Sequence, residues 1–354
     1  MATRLQILLV SLALGTSAWA GSPSGSVAPD RYTSALALIH ECDTNPASNC
    51  AHLGWRFENG EGVKQDFTLA ALLYEKACDL GTWVACRNLA ILHATGRGLP
   101  RDLAKAARLY KKSCEKGDAA SCTNLGALMM SGVTEGAASD ALVLDAYRRA
   151  CESHDAMGCN NLGWMYENGR AVEKDEARAA ALYATACEGG LELACVNGGV
   201  IFTRSKGTLL DRERGDRMLR RACDGGDDDS CLRLAAMYET GALKSGTVAT
   251  SVELYKRACK AGNGNACVNL GWLYQNGRGV PRNTSQAAAQ YLIACKSGVA
   301  IGCGNAASLY EAGVGVPRDR ARAAELLRRA CLLGLTDGCE EQRSPSSESP
   351  ALPR

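Results

Sequence analysis

At 354 residues, 46% of them hydrophobic and 22% charged, the chain is long enough to bury a sizeable core. Its formal charge of +2 has none of the sign bias that a polyanion binder needs, so nucleic acid is not the expected partner. Eighteen cysteines against four histidines argue for an oxidising compartment and against a zinc protein.

The first residues read as an export signal. Met1-Ala2-Thr3-Arg4 carries one positive charge, Leu5 to Leu14 is almost continuously apolar, and Ala18-Trp19-Ala20 offers small residues for a signal peptidase. The expectation is a signal peptide over residues 1–20, cleaved after Ala20, and a product that is periplasmic or secreted. The apolar run is too short to span a membrane, which takes roughly 20 apolar residues, and no later stretch approaches that length. Residues 21–30 and 343–354 are rich in Gly, Ser and Pro and are expected to be flexible tails. Between them, residues 31–342 have one uniform texture and no internal linker.

That texture is a repeat. The cysteines fall into nine pairs of equal internal spacing: Cys42/Cys50, Cys78/Cys86, Cys114/Cys122, Cys151/Cys159, Cys187/Cys195, Cys223/Cys231, Cys259/Cys267, Cys295/Cys303 and Cys331/Cys339. Successive pairs are 36 residues apart, with a single step of 37 between Cys114 and Cys151. An even count, regular pairing and an export signal predict nine local disulfides. No C-x-x-C redox motif or zinc knuckle occurs, and neither metal nor cofactor is expected.

Residues 85–117 illustrate one repeat. Cys86, Leu89, Ala90 and His93 recur at helical spacing until Gly96-Arg97-Gly98 breaks the helix. Pro100 and Asp102 start a second helix, which carries Ala106, Leu109, Tyr110 and Ser113-Cys114 and ends at Gly117-Asp118. Four residues after the second cysteine of each of the first eight pairs stands Gly or Ala, which lets neighbouring helices approach closely. One repeat cannot bury its own apolar face, whereas stacked neighbours can. The expected fold is therefore all-α: a solenoid of about eight disulfide-clipped helix–turn–helix repeats with a concave and a convex side. Arg31 to Glu41 reads as a lone second helix capping the N-terminal end.

The run Asn161-Leu-Gly-Trp-Met-Tyr-Glu-Asn-Gly, followed by Ala179-Ala-Ala-Leu-Tyr183 and closed by Ala186-Cys187, resembles the Sel-1-like (SLR) repeat, a relative of the TPR. With a cysteine pair in every repeat and an export signal, the chain looks most like the secreted Helicobacter cysteine-rich proteins of that family. The resemblance implies a right-handed superhelix, an adaptor or scaffold role, and in that subgroup weak penicillin-binding or β-lactamase activity. Residues 196–211, 131–139 and 243–246 depart from the repeat pattern.

Catalytic sets are scarce. Ser113-Cys114-Glu115-Lys116 matches the S-x-x-K motif of penicillin-recognising enzymes, but S-D-N and K-T-G are missing. Ser113 and Lys116 are thus the candidates for an alternative reading as a weak β-lactamase or peptidoglycan-fragment binder. The main reading is a monomeric scaffold for a protein or peptide. Two residues after the second cysteine of each of the first eight pairs stand His52, Asn88, Asn124, Asn161, Asn197, Arg233, Asn269 and Asn305. Three residues further on stand Trp55, Ile91, Ala127, Trp164, Val200, Ala236, Trp272 and Ser308. Both positions share one stripe of the first helix. Asn donates and accepts, so a ladder of Asn suits an extended peptide backbone, and Trp supplies anchoring pockets.

Overall fold

A computed structural model describes residues 46–132, 140–204 and 209–336, and every regular element among them is an α-helix. The chain divides into two units, residues 1–194 and 195–354. The first holds α1 (Pro46–Asn59), α2 (Phe67–Asp79), α3 (Trp83–Thr95), α4 (Leu103–Glu115), α5 (Ala119–Met130), α6 (Asp140–Glu152), α7 (Ala156–Asn168) and α8 (Glu176–Glu188). After α9 (Glu192–Arg204), the second unit continues with α10 (Leu209–Asp224), α11 (Asp228–Glu239), α12 (Val248–Lys260), α13 (Gly264–Asn276), α14 (Thr284–Lys296), α15 (Ala300–Ala312) and α16 (Arg320–Leu332). Odd-numbered helices are the first of each repeat and even-numbered helices the second. Consecutive helices pack together from α1 to α8 and from α10 to α16, and first helices also meet across one repeat, α5 against α7 and α13 against α15.

Helix ends follow from the residues placed there. Asp66, Asp102, Asp118, Asp155, Asp175, Asp227 and Asp319 are N-caps whose carboxylates accept first-turn N–H groups. Those donors have no partner within the helix, and a negative charge also suits the positive end of its dipole. The Gly-x-Gly loop has two separate causes. Gly96 ends α3 in a left-handed conformation, at φ 72°. Gly98 is also left-handed, at φ 71°, and a Cβ on it would lie 2.4 Å from the Phe67 backbone, because the loop rests on the start of α2.

The core forms where first and second helices meet. Tyr74, Tyr110, Tyr183, Tyr255 and Tyr291 of the second helices are at most 1% exposed. Each such ring contributes roughly 1.5–3 kcal/mol by leaving water. The small residue of the first helix makes room for it. A Cβ on Gly54 would come within 2.8 Å of Tyr74, and one on Gly126 or Gly271 within 2.6 Å of Tyr147 or Tyr291.

Six of the expected disulfides join the end of a second helix to the start of the next first helix: Cys78–Cys86, Cys114–Cys122, Cys151–Cys159, Cys223–Cys231, Cys259–Cys267 and Cys295–Cys303. Cys50, Cys187, Cys195 and Cys331 are disulfide-bonded as well. Closing a loop of that size is worth about 2.5 kcal/mol on the chain-entropy model. Residues 1–20, 21–30, the lone helix at Arg31 to Glu41, Cys42, Cys339 and residues 343–354 lie outside the described residues, as does most of the irregular stretch 131–139.

Candidate functional site

The serine–lysine candidate is a structural contact. Ser113 is 0% exposed, and its Oγ donates to the Trp83 carbonyl at 2.7 Å. Lys116 is the C-cap of α4, with its ammonium 5.6 Å from the centre of the Trp83 ring. A nucleophilic serine must meet its substrate. This hydroxyl is closed off, and its proton is held by a carbonyl.

The first-helix stripe is built around the buried tyrosines. The Tyr74 hydroxyl donates to the Glu58 carboxylate at 2.6 Å, Tyr183 to Glu167 at 2.7 Å and Tyr255 to Glu239 at 2.9 Å. Tyr291 donates to the Gln275 carbonyl oxygen at 2.8 Å. The Asn of the stripe approaches from the other side: Asn88 against Tyr74, Asn161 against Tyr147 and Asn269 against Tyr255. Burial pushes each of these hydroxyls well above the ordinary tyrosine value, and the amide pulls it partly back. Asn88 is only 7% exposed.

This arrangement has a signature within the sequence. Asn stands fourteen residues after a tyrosine in six repeats: Tyr74/Asn88, Tyr110/Asn124, Tyr147/Asn161, Tyr183/Asn197, Tyr255/Asn269 and Tyr291/Asn305. In the two repeats where that tyrosine is Leu38 or Leu219, the Asn is replaced by His52 or Arg233. His52 and Arg233 are exposed, whereas all six Asn are buried or half-buried. Reading the stripe down its own column hides the pattern. It emerges only when two columns are compared across the repeats.

The tryptophans stand at the outer position of the stripe. Trp55 and Trp164 are half-buried and Trp272 is 40% exposed. Their carbonyls accept the amides of Asn59, Asn168 and Asn276, each at 2.8 Å, which fastens the last turn of the helix. Trp55 stacks on His52 with ring centres 6.1 Å apart. The Arg278 guanidinium lies 5.3 Å from the centre of the Trp272 ring.

Two features were not singled out in the sequence. His93 and the Tyr110 hydroxyl are buried with few polar neighbours, the Pro100 carbonyl beside the one and Asn124 beside the other, and Ala94 stands where other repeats have the glutamate that accepts from tyrosine. Burial lowers the His93 pKa and nearby Lys105 adds to this, while Asp102, Glu75 and the Pro100 carbonyl oppose it. In the irregular repeat, Tyr238 donates to the buried Asp216 and accepts from Arg220. There burial and Asp216 push the Tyr238 hydroxyl up to about 12.

The sequence pattern described as Sel1 repeat matches residues 50–82, 83–118, 156–191, 228–263, 264–299 and 300–335, together more than half of the chain. Among solved structures, a protective antigen of uropathogenic Escherichia coli displaying an SLR fold is 22% identical, covering 84% of this chain and 85% of that one at a TM-score of 0.39. A Sel1 repeat protein of Oxalobacter formigenes is 19% identical, covering 84% and 88% at a TM-score of 0.39. An immunity protein of Pseudomonas aeruginosa is 18% identical, covering 61% and 80% at a TM-score of 0.32. No curated protein matches the chain.

Proposed function

The chain belongs to the Sel1 repeat family, and we propose from that premise that it is an exported scaffold holding a protein or peptide on the face lined by its first helices. Sel1 repeats are in general protein–protein interaction modules. In this reading the six Asn act mainly as struts, closing the hydrogen bonding of the buried tyrosines from the next repeat. Recognition falls to the variable residues beside them: Trp55, Trp164, Trp272, His52 and Arg233. The exchange of Asn for His52 and Arg233 wherever the tyrosine is lost carries this division. A ladder kept for gripping peptides would have no reason to track a core residue in the neighbouring helix.

Export is part of the same proposal. The disulfides mark an oxidising environment, and residues 1–20 supply the leader. No described helix is long and apolar enough to cross a membrane.

The test is cross-linking capture from the periplasmic and medium fractions with the oxidised protein. Beside wild type it uses Trp55→Ala/Trp164→Ala/Trp272→Ala and Asn124→Ala/Asn161→Ala. The expected result is a partner lost with the tryptophans and retained, by a less stable protein, with the asparagines. A partner retained by the tryptophan variant would overturn the assignment.

A further inference from the structure

Two of the three stretches that depart from the repeat pattern border one cavity. It holds about 250 Å³ and is lined by Arg212 and Glu213 of α10, directly after residues 196–211, and by Ala242, Leu243, Lys244 and Ser245 between α11 and α12. In regular repeats the second glycine of this loop lies on the start of the preceding second helix. A Cβ on Gly98 or Gly315 would come within 2.4 Å of the backbone at Phe67 or Thr284, and one on Gly279 within 2.8 Å at Val248. Counted from the cysteines, Leu243 takes the place of that glycine, and Arg212 the place of Phe67, Val248 and Thr284. A leucine cannot be seated against that backbone, so the loop stands away from α10 and the gap is the cavity.

A polar network beneath the loop holds it in that shape. Asp216 stands in a column that is otherwise Ala, Leu or Val, such as Ala71, Ala180 and Val252. Its side chain is 8% exposed, and its carboxylate accepts from the Tyr238 hydroxyl and, at 3.3 Å, from Arg220. Ser245 approaches the same hydroxyl, and Gly246 lies on the Tyr238 ring, where a Cβ would be 2.4 Å away. Leu243 is buried beside Tyr238, Leu219 and Leu234. A buried carboxylate in an apolar column is not explained by stability, since well-packed apolar residues in place of a buried ion pair are often as stable or more so. Places where a regular pattern fails together are where function is expected.

Arg212, Glu213 and Lys244 are exposed, and among the described residues none of their side chains has a hydrogen bond or ion pair. Ala242 and Leu243 add an apolar wall and Ser245 a hydroxyl. Free groups of both signs around a small apolar wall suit a molecule that carries both charges close together beside an apolar group. We infer that the cavity binds a free α-amino acid with an apolar side chain. Its carboxylate meets Arg212 and Lys244, its ammonium meets Glu213, and its side chain lies on Ala242 and Leu243. The guanidinium fork of Arg212 matches a carboxylate in shape as well as charge. The volume lies below the roughly 300–1,000 Å³ of sites for larger ligands, which suits a molecule of this size. Asp216 and Tyr238 are positioning residues, acting through the loop. The inference does not depend on the scaffold reading or on the tryptophans.

The experiment titrates the full oxidised chain with leucine in a calorimeter. Beside it stand N-acetylleucine, which lacks the ammonium and resembles a peptide C-terminus, and leucinamide, which lacks the carboxylate and resembles an N-terminus. The expected result is millimolar or tighter binding of leucine, with both blocked forms at least tenfold weaker. Glu213→Gln and Lys244→Gln alter exposed side chains only, so each should weaken leucine binding with melting unchanged. Asp216→Ala/Tyr238→Phe places in the core the residues used at Ala71 and Phe57, so it should melt no lower than wild type and yet bind leucine at least tenfold more weakly. A network that merely stabilised the fold would lower the melting temperature and leave the discrimination between leucine and its blocked forms intact. No binding of leucine, equal binding of a blocked form, or leucine affinity unchanged in the Glu213 and Lys244 variants or in the double variant overturns the inference.

Discussion

The Tyr183 hydroxyl donates to the Glu167 carboxylate at 2.7 Å, joining the second helix of a repeat to the last turn of its first helix. Removing the acceptor leaves a buried hydroxyl proton without its acceptor, which costs about 1–3 kcal/mol, whereas removing both groups costs less than the sum. Glu167→Ala is therefore expected to lower stability more than Tyr183→Phe. The double variant should fall short of additivity, as read by denaturant unfolding in a double-mutant cycle.

His93 gives the protein an acid sensitivity. Its folded pKa lies below the ordinary 6.5, so the unfolded chain takes up a proton more readily than the folded one. The stability associated with the neutral ring is fully present above pH 6.5 and is lost as the pH falls through that value towards the lower folded pKa. Phe57 and Phe202 hold the same position in other repeats, so the space accepts a phenyl ring. His93→Phe is expected to raise stability by about 1 kcal/mol at neutral pH, because two buried, poorly satisfied nitrogens disappear. It should also flatten the pH dependence between pH 5 and 7, measured by thermal melting.

Gly98 and Gly117 are both left-handed, at φ 71° and 94°, but only Gly98 lies against backbone of the preceding repeat, and nothing lies within 4 Å of a Cβ at Gly117. Gly117→Ala should therefore cost only the conformational penalty, about 1 kcal/mol. Gly98→Ala must also move the loop off α2, and its loss of stability should be clearly the larger in chemical denaturation. Equal losses would show that the contact with Phe67 is dispensable.

Ser113→Ala tests whether that serine is structural. It removes a buried hydrogen bond to the Trp83 carbonyl, which keeps its intrahelical partner in the first turn of α3, with an expected loss of about 1 kcal/mol. Binding of the partner should be unchanged. Hydrolysis of a chromogenic β-lactam by the wild type that disappears in this variant would contradict the placement of Ser113.

The repeat architecture was legible because the constraints are periodic. The cysteine step of 36, the Asp caps and the Gly-x-Gly breaks each mark a helix end, and the structure places helix ends there. The stripe was legible as a position but not as a division of labour. Asn88 and Trp55 share a face by helical spacing alone, and only the depth of Tyr74 distinguishes a strut from an exposed contact. His93 was hidden for a related reason, since its column is aromatic and an imidazole fills an aromatic slot. Its poorly satisfied nitrogens depend on what lies across the interface, which no local pattern records. Ser113 matched a four-residue motif by chance of composition, and burial at 0% exposure identified it as a helix-packing hydroxyl.

The most direct test of the central claim compares two substitutions on one stripe, Asn161→Ala and Trp164→Ala, each measured for melting temperature and for affinity to the captured partner. The account predicts that Asn161→Ala lowers the melting temperature by several degrees with affinity nearly unchanged, and that Trp164→Ala weakens binding at least tenfold with little change in melting. If Asn161→Ala instead abolishes binding while the protein melts as wild type, the Asn ladder is the recognition surface and the division between struts and contacts is wrong.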